Sequence, residues 1–324
     1  MGEATGEQTL ERRRERETLS SDPGTLPASA RAAMGADPLV GQLALGRYHV
    51  GPVLADGGMG TVYEALDRVT EARVAVKTLQ PRFMDRPRVI QRFEREAQAL
   101  EAARSEHVVD VKARGALPDG RPCYVMERLE GELLADVIER SAAPLDPRVV
   151  VRVAVQLARA LAHAHQLGIV HRDLKPENVF LRDGPGGRSV VKLLDFGLAK
   201  AVDGSMDVTK AGELLGTPTY MAPEQIRGDA VDGRTDVYAF GVMLYEMLTG
   251  RVPFVGDAPV DVMVAHVEEE PTLPSKLDPP VRLPVMLEWI AMCCLYKEPA
   301  CRFQSAEELL DELSNAAGLY RVDV

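Results

Sequence analysis

His171-Arg172-Asp173-Leu174-Lys175-Pro176-Glu177-Asn178, followed 17 residues after Asn178 by Asp195-Phe196-Gly197, decides how this chain is read. From Asp173 to Asn178 it supplies a carboxylate, an ammonium and an amide, and a second carboxylate follows across a short apolar hairpin. A phosphoryl group carried by a divalent cation asks for this set. It needs an acceptor for the attacking hydroxyl's proton, a cation beside the transferring phosphate, and hard oxygen ligands for Mg²⁺. Either triplet alone is commonly a polar turn between strands; both together, in this order and spacing, point to chemistry.

Upstream, Ala55-Asp56-Gly57-Gly58-Met59-Gly60-Thr61-Val62 lies between two expected strands. Glycines there let the backbone approach phosphate oxygens and aim amide hydrogens at them, although a lone glycine loop is usually a plain hairpin. The following Val74-Ala75-Val76-Lys77 sharpens the reading, because a lysine inside an apolar strand needs an anionic partner. Glu96, on the helix face of Phe93 and Leu100, is that partner. His171 reads as a buried structural imidazole, and His163 and His165, two apart on one helix, as packing residues and not a metal pair.

Downstream, Gly216-Thr217-Pro218-Thr219-Tyr220-Met221-Ala222-Pro223-Glu224 closes the long loop that opens at Asp195. Loops of that length in compact domains are functional or disordered. Glu224, if buried, needs a cation, and Arg302 is the candidate; Asp236, entering an apolar helix, is placed to hold backbone amides of another segment.

Along the chain, residues 1–46 have no aromatic residue, a mixed-charge run and a Pro/Ala/Gly/Ser-rich stretch, and read as a disordered arm. Strands are expected at Tyr48–Leu54, Thr61–Leu66, Arg73–Leu79, Val108–Ala113 and Cys123–Glu127, with a helix over Arg88–Ala103. Beyond Gly131 the pattern turns helical: Glu132–Arg140, Asp146–Gln166 ended by Gly168, and Val231–Thr249, with two short strands around an Asp183–Arg188 turn. The fold class is α+β, a sheet-rich lobe joined to a helix-rich lobe at Glu127–Gly131.

Apolar residues make up 46% and charged residues 27% of 324 residues, the composition of a globular protein with room for two cores. A net charge of −11 argues against non-specific binding of nucleic acid or an anionic membrane. No apolar run is long enough to span a bilayer, and no signal-peptide core is present, so the expectation is a cytoplasmic protein. Four cysteines without a C-x-x-C pair, three of them clustered (Cys293, Cys294, Cys301), read as buried reduced thiols on a helix and not as a zinc site.

Taken together, these residues closely resemble the eukaryotic-like serine/threonine protein kinase family, bacterial type, in order from about Gly46 to Leu313. The resemblance implies a two-lobed kinase fold over 47–319: a small antiparallel sheet lobe with one main helix (47–127) and a larger helical lobe (128–319). It implies Asp173 as catalytic base, Lys175 as neutraliser of the γ-phosphate, and Asn178 and Asp195 as ligands of Mg²⁺, with Mn²⁺ a substitute. For ATP it implies the loop residues Ala55, Asp56, Gly57, Gly58, Met59 and Gly60, then Lys77 with Glu96 on the α/β-phosphates. Met126 becomes the gatekeeper, Glu127 and Leu129 supply adenine hydrogen bonds from the backbone, and Val62, Ala75 and Phe180 sandwich the purine. Thr209 becomes the autophosphorylation site, with Arg172 as its phosphate partner, phosphorylated in trans within a transient homodimer. It also implies that Thr217 hydrogen-bonds Asp173 and Lys175. Lys175-Pro176-Glu177 and Thr217 fit serine/threonine specificity, so the implied partners are ATP and protein substrates. Ala55 replaces the first loop glycine, which costs little if its φ is negative. The competing functions are a pseudokinase-type scaffold that binds nucleotide and partners, disfavoured by the full catalytic set, and a small-molecule phosphotransferase, disfavoured by the Gly-Thr-Pro…Ala-Pro-Glu segment.

Overall fold

The computed structural model of the chain describes residues 39–141, 144–184, 189–196, 218–281 and 283–322. These divide into two compact units, one of residues 39–97 and 111–128, the other of 98–110 and 129–322.

The first unit is a six-stranded antiparallel sheet in the order β1-β2-β3-β4-β6-β5. Its strands are β1 (Leu43–Ala44), β2 (Tyr48–Asp56), β3 (Gly60–Asp67), β4 (Arg73–Leu79), β5 (Val111–Ala116) and β6 (Pro122–Glu127). Tyr63 and Ala65, Val74 and Val76, and Cys123 and Val125 recur at a period of two and share one buried cluster. The alternate positions of β4 and β6, among them Ala75, Lys77, Tyr124 and Met126, therefore point to the other face. Helix α1 (Pro87–Ala102) brings Phe93 and Glu96 to that face, one turn apart.

Residues 39–46 correct the boundary of the expected arm. Leu39 and Ala44 are buried in the sheet core, β1 pairs with β2, and Gly41 N donates to Val50 O at 2.8 Å. Arg47 then grips Asp67 through Nε–Oδ1 and Nη2–Oδ2, both 2.6 Å, and holds that carboxyl well below the usual carboxylate range. Left-handed Gly41 and Gly46 fold the segment back so that Leu39 and Ala44 are covered, while Val40 stays exposed. Residues 1–38 lie outside the described residues. A second correction concerns the strand expected over Val108–Ala113. β5 begins at Val111, and Val109 N instead donates to Leu193 O at 2.9 Å within the second unit.

The second unit holds a three-stranded antiparallel sheet, β7 (Gly131–Leu133), β8 (Val179–Asp183) and β9 (Ser189–Leu193). Its helices are α2 (Leu134–Ser141), α3 (Pro147–Gln166), α4 (Pro223–Arg227), α5 (Gly233–Thr249), α6 (Pro259–Glu268), α7 (Val285–Cys294) and α8 (Ala306–Tyr320). The helix expected from Glu132 starts at Leu134, because Glu132 and Leu133 pair with Leu181 and Phe180. Gly131 opens β7 at φ 139°, where a Cβ would lie 2.1 Å from Leu181 O, so only glycine fits. α3 begins at Asp146, whose side chain accepts from Arg148 N, and ends in a left-handed Gly168. α5 is buried all round from Thr235 to Thr249 and forms the axis of this unit, with α3 and α7 packed against it. Cys294 is buried at the end of α7, but Cys301 is exposed in a single 3₁₀ turn, which corrects the reading of three buried helical thiols. Among the described residues no helix is long and apolar enough to cross a membrane.

His266, on α6, is fully buried, and the Tyr238 hydroxyl lies 2.9 Å from its Nδ1. Burial, assisted by the nearby Lys297 ammonium, pulls it down to about 4. The ring is thus neutral in the fold and binds its proton more readily in the unfolded chain. Stability is fully present above about pH 6.5 and falls as the pH drops towards 4, by about 3 kcal/mol for this one group. The melting temperature of His266→Gln should therefore fall less than that of the wild type between pH 6.5 and 4.5; an equal fall would contradict a neutral His266.

Candidate active site

In the first unit, the loop of residues 56–60 is held from both sides. Gly57 N donates to Gly60 O at 2.9 Å and Thr61 Oγ1 to Asp56 Oδ1 at 2.7 Å. Gln80 Nε2 reaches Asp56 Oδ1 and Gly57 O, both at 2.8 Å, and Arg82 Nη2 reaches Gly58 O at 2.9 Å. Met59, at the loop tip, accepts from Gln80 N. Gly60 is where a side chain cannot fit: its Cβ would meet Thr78 O at 2.9 Å. Ala55 lies in β2 opposite Val62 and outside the left-handed region, so alanine serves in place of a first loop glycine. Lys77 Nζ sits 2.8 Å from Glu96 Oε1, their side chains 13% and 7% exposed, so the pair is largely desolvated. The sheet register sets Val62 opposite Lys77, Ala75 opposite Met126 and Val74 opposite Glu127.

In the second unit, one 3₁₀ turn, Pro176–Asn178, gathers the opening motif. Asn178 Nδ2 donates to Asp173 O at 2.8 Å, which turns its side-chain oxygen away as an acceptor. Lys175 Nζ lies 3.4 Å from Asp173 Oδ2. Burial draws the Lys175 pKa down, but the carboxylates of Asp173, Glu177 and Asp195 outweigh it and hold the ammonium above the ordinary lysine range. His171 is fully buried against Phe196, ring centroids 5.2 Å apart, and accepts at Nδ1 from Asp173 N. Desolvation holds it below the ordinary histidine range against the pull of Asp236, Asp173 and Asp195, so it is a neutral prop. Leu129 is buried and Phe180 half-buried on β8 in this unit.

Asp236, wholly buried at the start of α5, accepts from His171 N and Arg172 N, both at 2.8 Å. That bidentate grip fixes the backbone just ahead of Asp173 and accommodates Arg172 at φ 66°. Two side chains that the sequence left without a polar task complete the frame. His165 Nε2 lies 2.7 Å from Asp236 Oδ2, and Gln225 Nε2 donates to Arg172 O at 2.9 Å. Neither carries a sequence signal, because each partner is more than 50 residues away. Glu224 and Arg302, both buried, meet at 2.7 and 2.8 Å through two parallel hydrogen bonds. Thr209 and Thr217 lie outside the described residues.

Asn178 and Asp195 offer the hard oxygens a divalent cation takes. Among the described residues no three His, Cys, Asp or Glu side chains are gathered to hold a metal ion. Such a donor set fits Mg²⁺, which is commonly held by one or two protein oxygens and completed by phosphate and water.

A model of the protein kinase domain matches residues 48–313, most of the chain. The chain belongs to the protein kinase family. Curated relatives of this kinase domain include Pkn1 of Myxococcus xanthus, 42% identical over 279 residues, and Pkn3 of the same organism, 38% identical over 280 residues. PknB of Mycobacterium leprae is 38% identical over 270 residues, and all three are named serine/threonine-protein kinases. They cover 86%, 86% and 82% of this chain, which spans only 39%, 51% and 42% of their own lengths. Among solved structures, a double mutant of the PknI kinase domain of Mycobacterium tuberculosis matches with a TM-score of 0.64 and 27% identity, covering 86% of this chain and 98% of that one. The sheet unit and the helical unit are the two lobes of the kinase fold.

Proposed function

We propose that the chain is an ATP-dependent serine/threonine protein kinase that moves the γ-phosphate of ATP to serine and threonine hydroxyls of protein substrates. The observation that carries this reading is the turn on which Asp173, Lys175 and Asn178 are fixed, with Asp173 and Lys175 3.4 Å apart. Asp173 accepts the proton of the attacking hydroxyl, and Lys175, kept cationic by its carboxylate neighbours, lies beside the transferring phosphate. Asn178 and Asp195 would hold Mg²⁺, or Mn²⁺ in its place. When bound, the cation would supply positive charge to neutralise the phosphate oxygens. Lys77, anchored by Glu96, holds the α/β-phosphates, and the tethered glycine loop offers its amides to them.

Regulation is assigned to Thr209. Phosphate added there brings about −2 of charge to the loop, pairs with Arg172 and orders the substrate platform that Thr217 begins. Transfer between two copies in a transient homodimer supplies that phosphate. Mass spectrometry after incubation with Mg·ATP tests the whole reading. The wild type should carry phosphate on Thr209 and the Asp173→Asn variant none. Modification only at other loop residues, or a Thr209→Ala variant of undiminished activity, removes the switch. A wild type that binds ATP but is never phosphorylated and phosphorylates nothing else is a scaffold.

A further inference from the structure

Tyr124 stands directly across the strands from Lys77, in the register Lys77↔Tyr124 of β4 and β6. It is wholly buried, and its hydroxyl donates to Glu96 Oε1 at 2.8 Å, the same oxygen that receives Lys77 Nζ at 2.8 Å. Its ring packs against Phe93, one turn before Glu96 on α1, with centroids 5.3 Å apart, and Lys77 Nζ lies 5.7 Å from the ring centre. One rigid side chain therefore touches the lysine, the glutamate and the helix that carries the glutamate.

We propose that Tyr124 is a positioning residue for phosphoryl transfer: its hydroxyl fixes the Glu96 carboxylate, and through it the Lys77 ammonium. The physical need is clear from the partners. A lysine ammonium is a compact charge on a flexible stem and does not by itself set the orientation of a carboxylate. A second donor from a side chain with only two torsions, wedged between Phe93 and the sheet, does. The hydrogen bond is charge-assisted and buried, the kind that contributes most. A lysine that must meet the α/β-phosphates at one place gains from an anchor set before nucleotide arrives. A phenylalanine would pack the same space, so the hydroxyl and not the ring carries the effect.

The proposal rests on the reading of Lys77 and Glu96 as the phosphate-holding pair, and the test separates the two. Tyr124→Phe, Glu96→Ala and the double variant of the full chain are compared with wild type. The readouts are kcat and KM for Mg·ATP at saturating protein substrate, the Kd for ATP, and the melting temperature. Tyr124→Phe should lose roughly tenfold in kcat/KM, about 1.4 kcal/mol, at assay temperatures well below its melting midpoint. In the Glu96→Ala background the same change should cost nothing further, because the tyrosine acts only through the glutamate. If Glu96→Ala transfers phosphate like wild type, the reading of the ion pair fails. If Glu96→Ala is crippled while Tyr124→Phe keeps wild-type kcat/KM, or if the two losses simply add, the ion-pair reading stands and the role of Tyr124 is overturned.

Discussion

Lys77→Met and Asp195→Asn are each expected to lower phosphoryl transfer at least a hundredfold, about 2.7 kcal/mol of barrier, while the protein still melts within a few degrees of wild type. Both side chains act on position and charge, and neither fills a core. Lys77 is 13% exposed and its removal deprives Glu96 of a cation, which for an isolated buried carboxylate is costly. Here the Tyr124 hydroxyl still donates to the same oxygen, so the fold keeps part of that compensation. Asp195→Asn keeps the shape of the side chain and removes the charge that a metal needs and that helps hold Lys175 cationic. Transfer assays and thermal melts on the same preparations check both halves. Either variant retaining more than about a tenth of wild-type transfer, a loss under about 1.4 kcal/mol, would show its role to be wrongly assigned.

Arg302→Ala should act in the opposite way, through stability. All five guanidinium hydrogens have acceptors: Glu224 takes two, at 2.7 and 2.8 Å, and the carbonyls of Tyr296, Arg234 and Lys297 take the others, at 2.7 to 2.9 Å. The side chain has no exposure, and Arg302 also lies over the Tyr238 ring at 4.8 Å. Burial pushes the Glu224 carboxyl up, but the hydrogen bonds and charge of Arg302 outweigh it and hold the group below its ordinary range. Truncation leaves a buried carboxylate without its cation and removes one donor from each of three carbonyls. The expected loss is about 3–5 kcal/mol, read as a shift of the denaturation midpoint. Arg302→Lys should recover little, since an ammonium cannot reproduce the fork. A loss under about 1 kcal/mol, the worth of an exposed pair, would contradict this account.

The legible and the hidden parts of the molecule divide on a physical line. Strand β4 and helix α1 were readable because a local period decides them, and the motif residues were readable because their chemistry is carried by residue type. What depends on partners distant in sequence was not. Val108 and Val109 look like strand residues and continue an apolar run, yet their backbone partner is Leu193, 84 residues from Val109. Glu132 and Leu133 read as the start of a helix because Leu133-Leu134 runs into one; the strand exists only because β8 lies beside it. Leu39 and Ala44 were hidden in a Pro/Gly/Ala-rich composition. In the site, Tyr124 and His165 have no motif. Each acquires its task from a register or a helix packing that places it within hydrogen-bond reach of a charged group.

Asp173 is proposed to serve transfer from ATP to a protein hydroxyl. The most direct measurement is transfer of label from γ-labelled ATP by the purified chain, offered a generic protein substrate or a small hydroxylated acceptor, with Asp173→Asn run beside it. The expected result is label on phosphoserine and phosphothreonine of the protein, none on the small acceptor, and loss of both self- and substrate labelling in Asp173→Asn. Undiminished transfer by Asp173→Asn, label on the small acceptor alone, or no transfer by a wild type that binds ATP would contradict it.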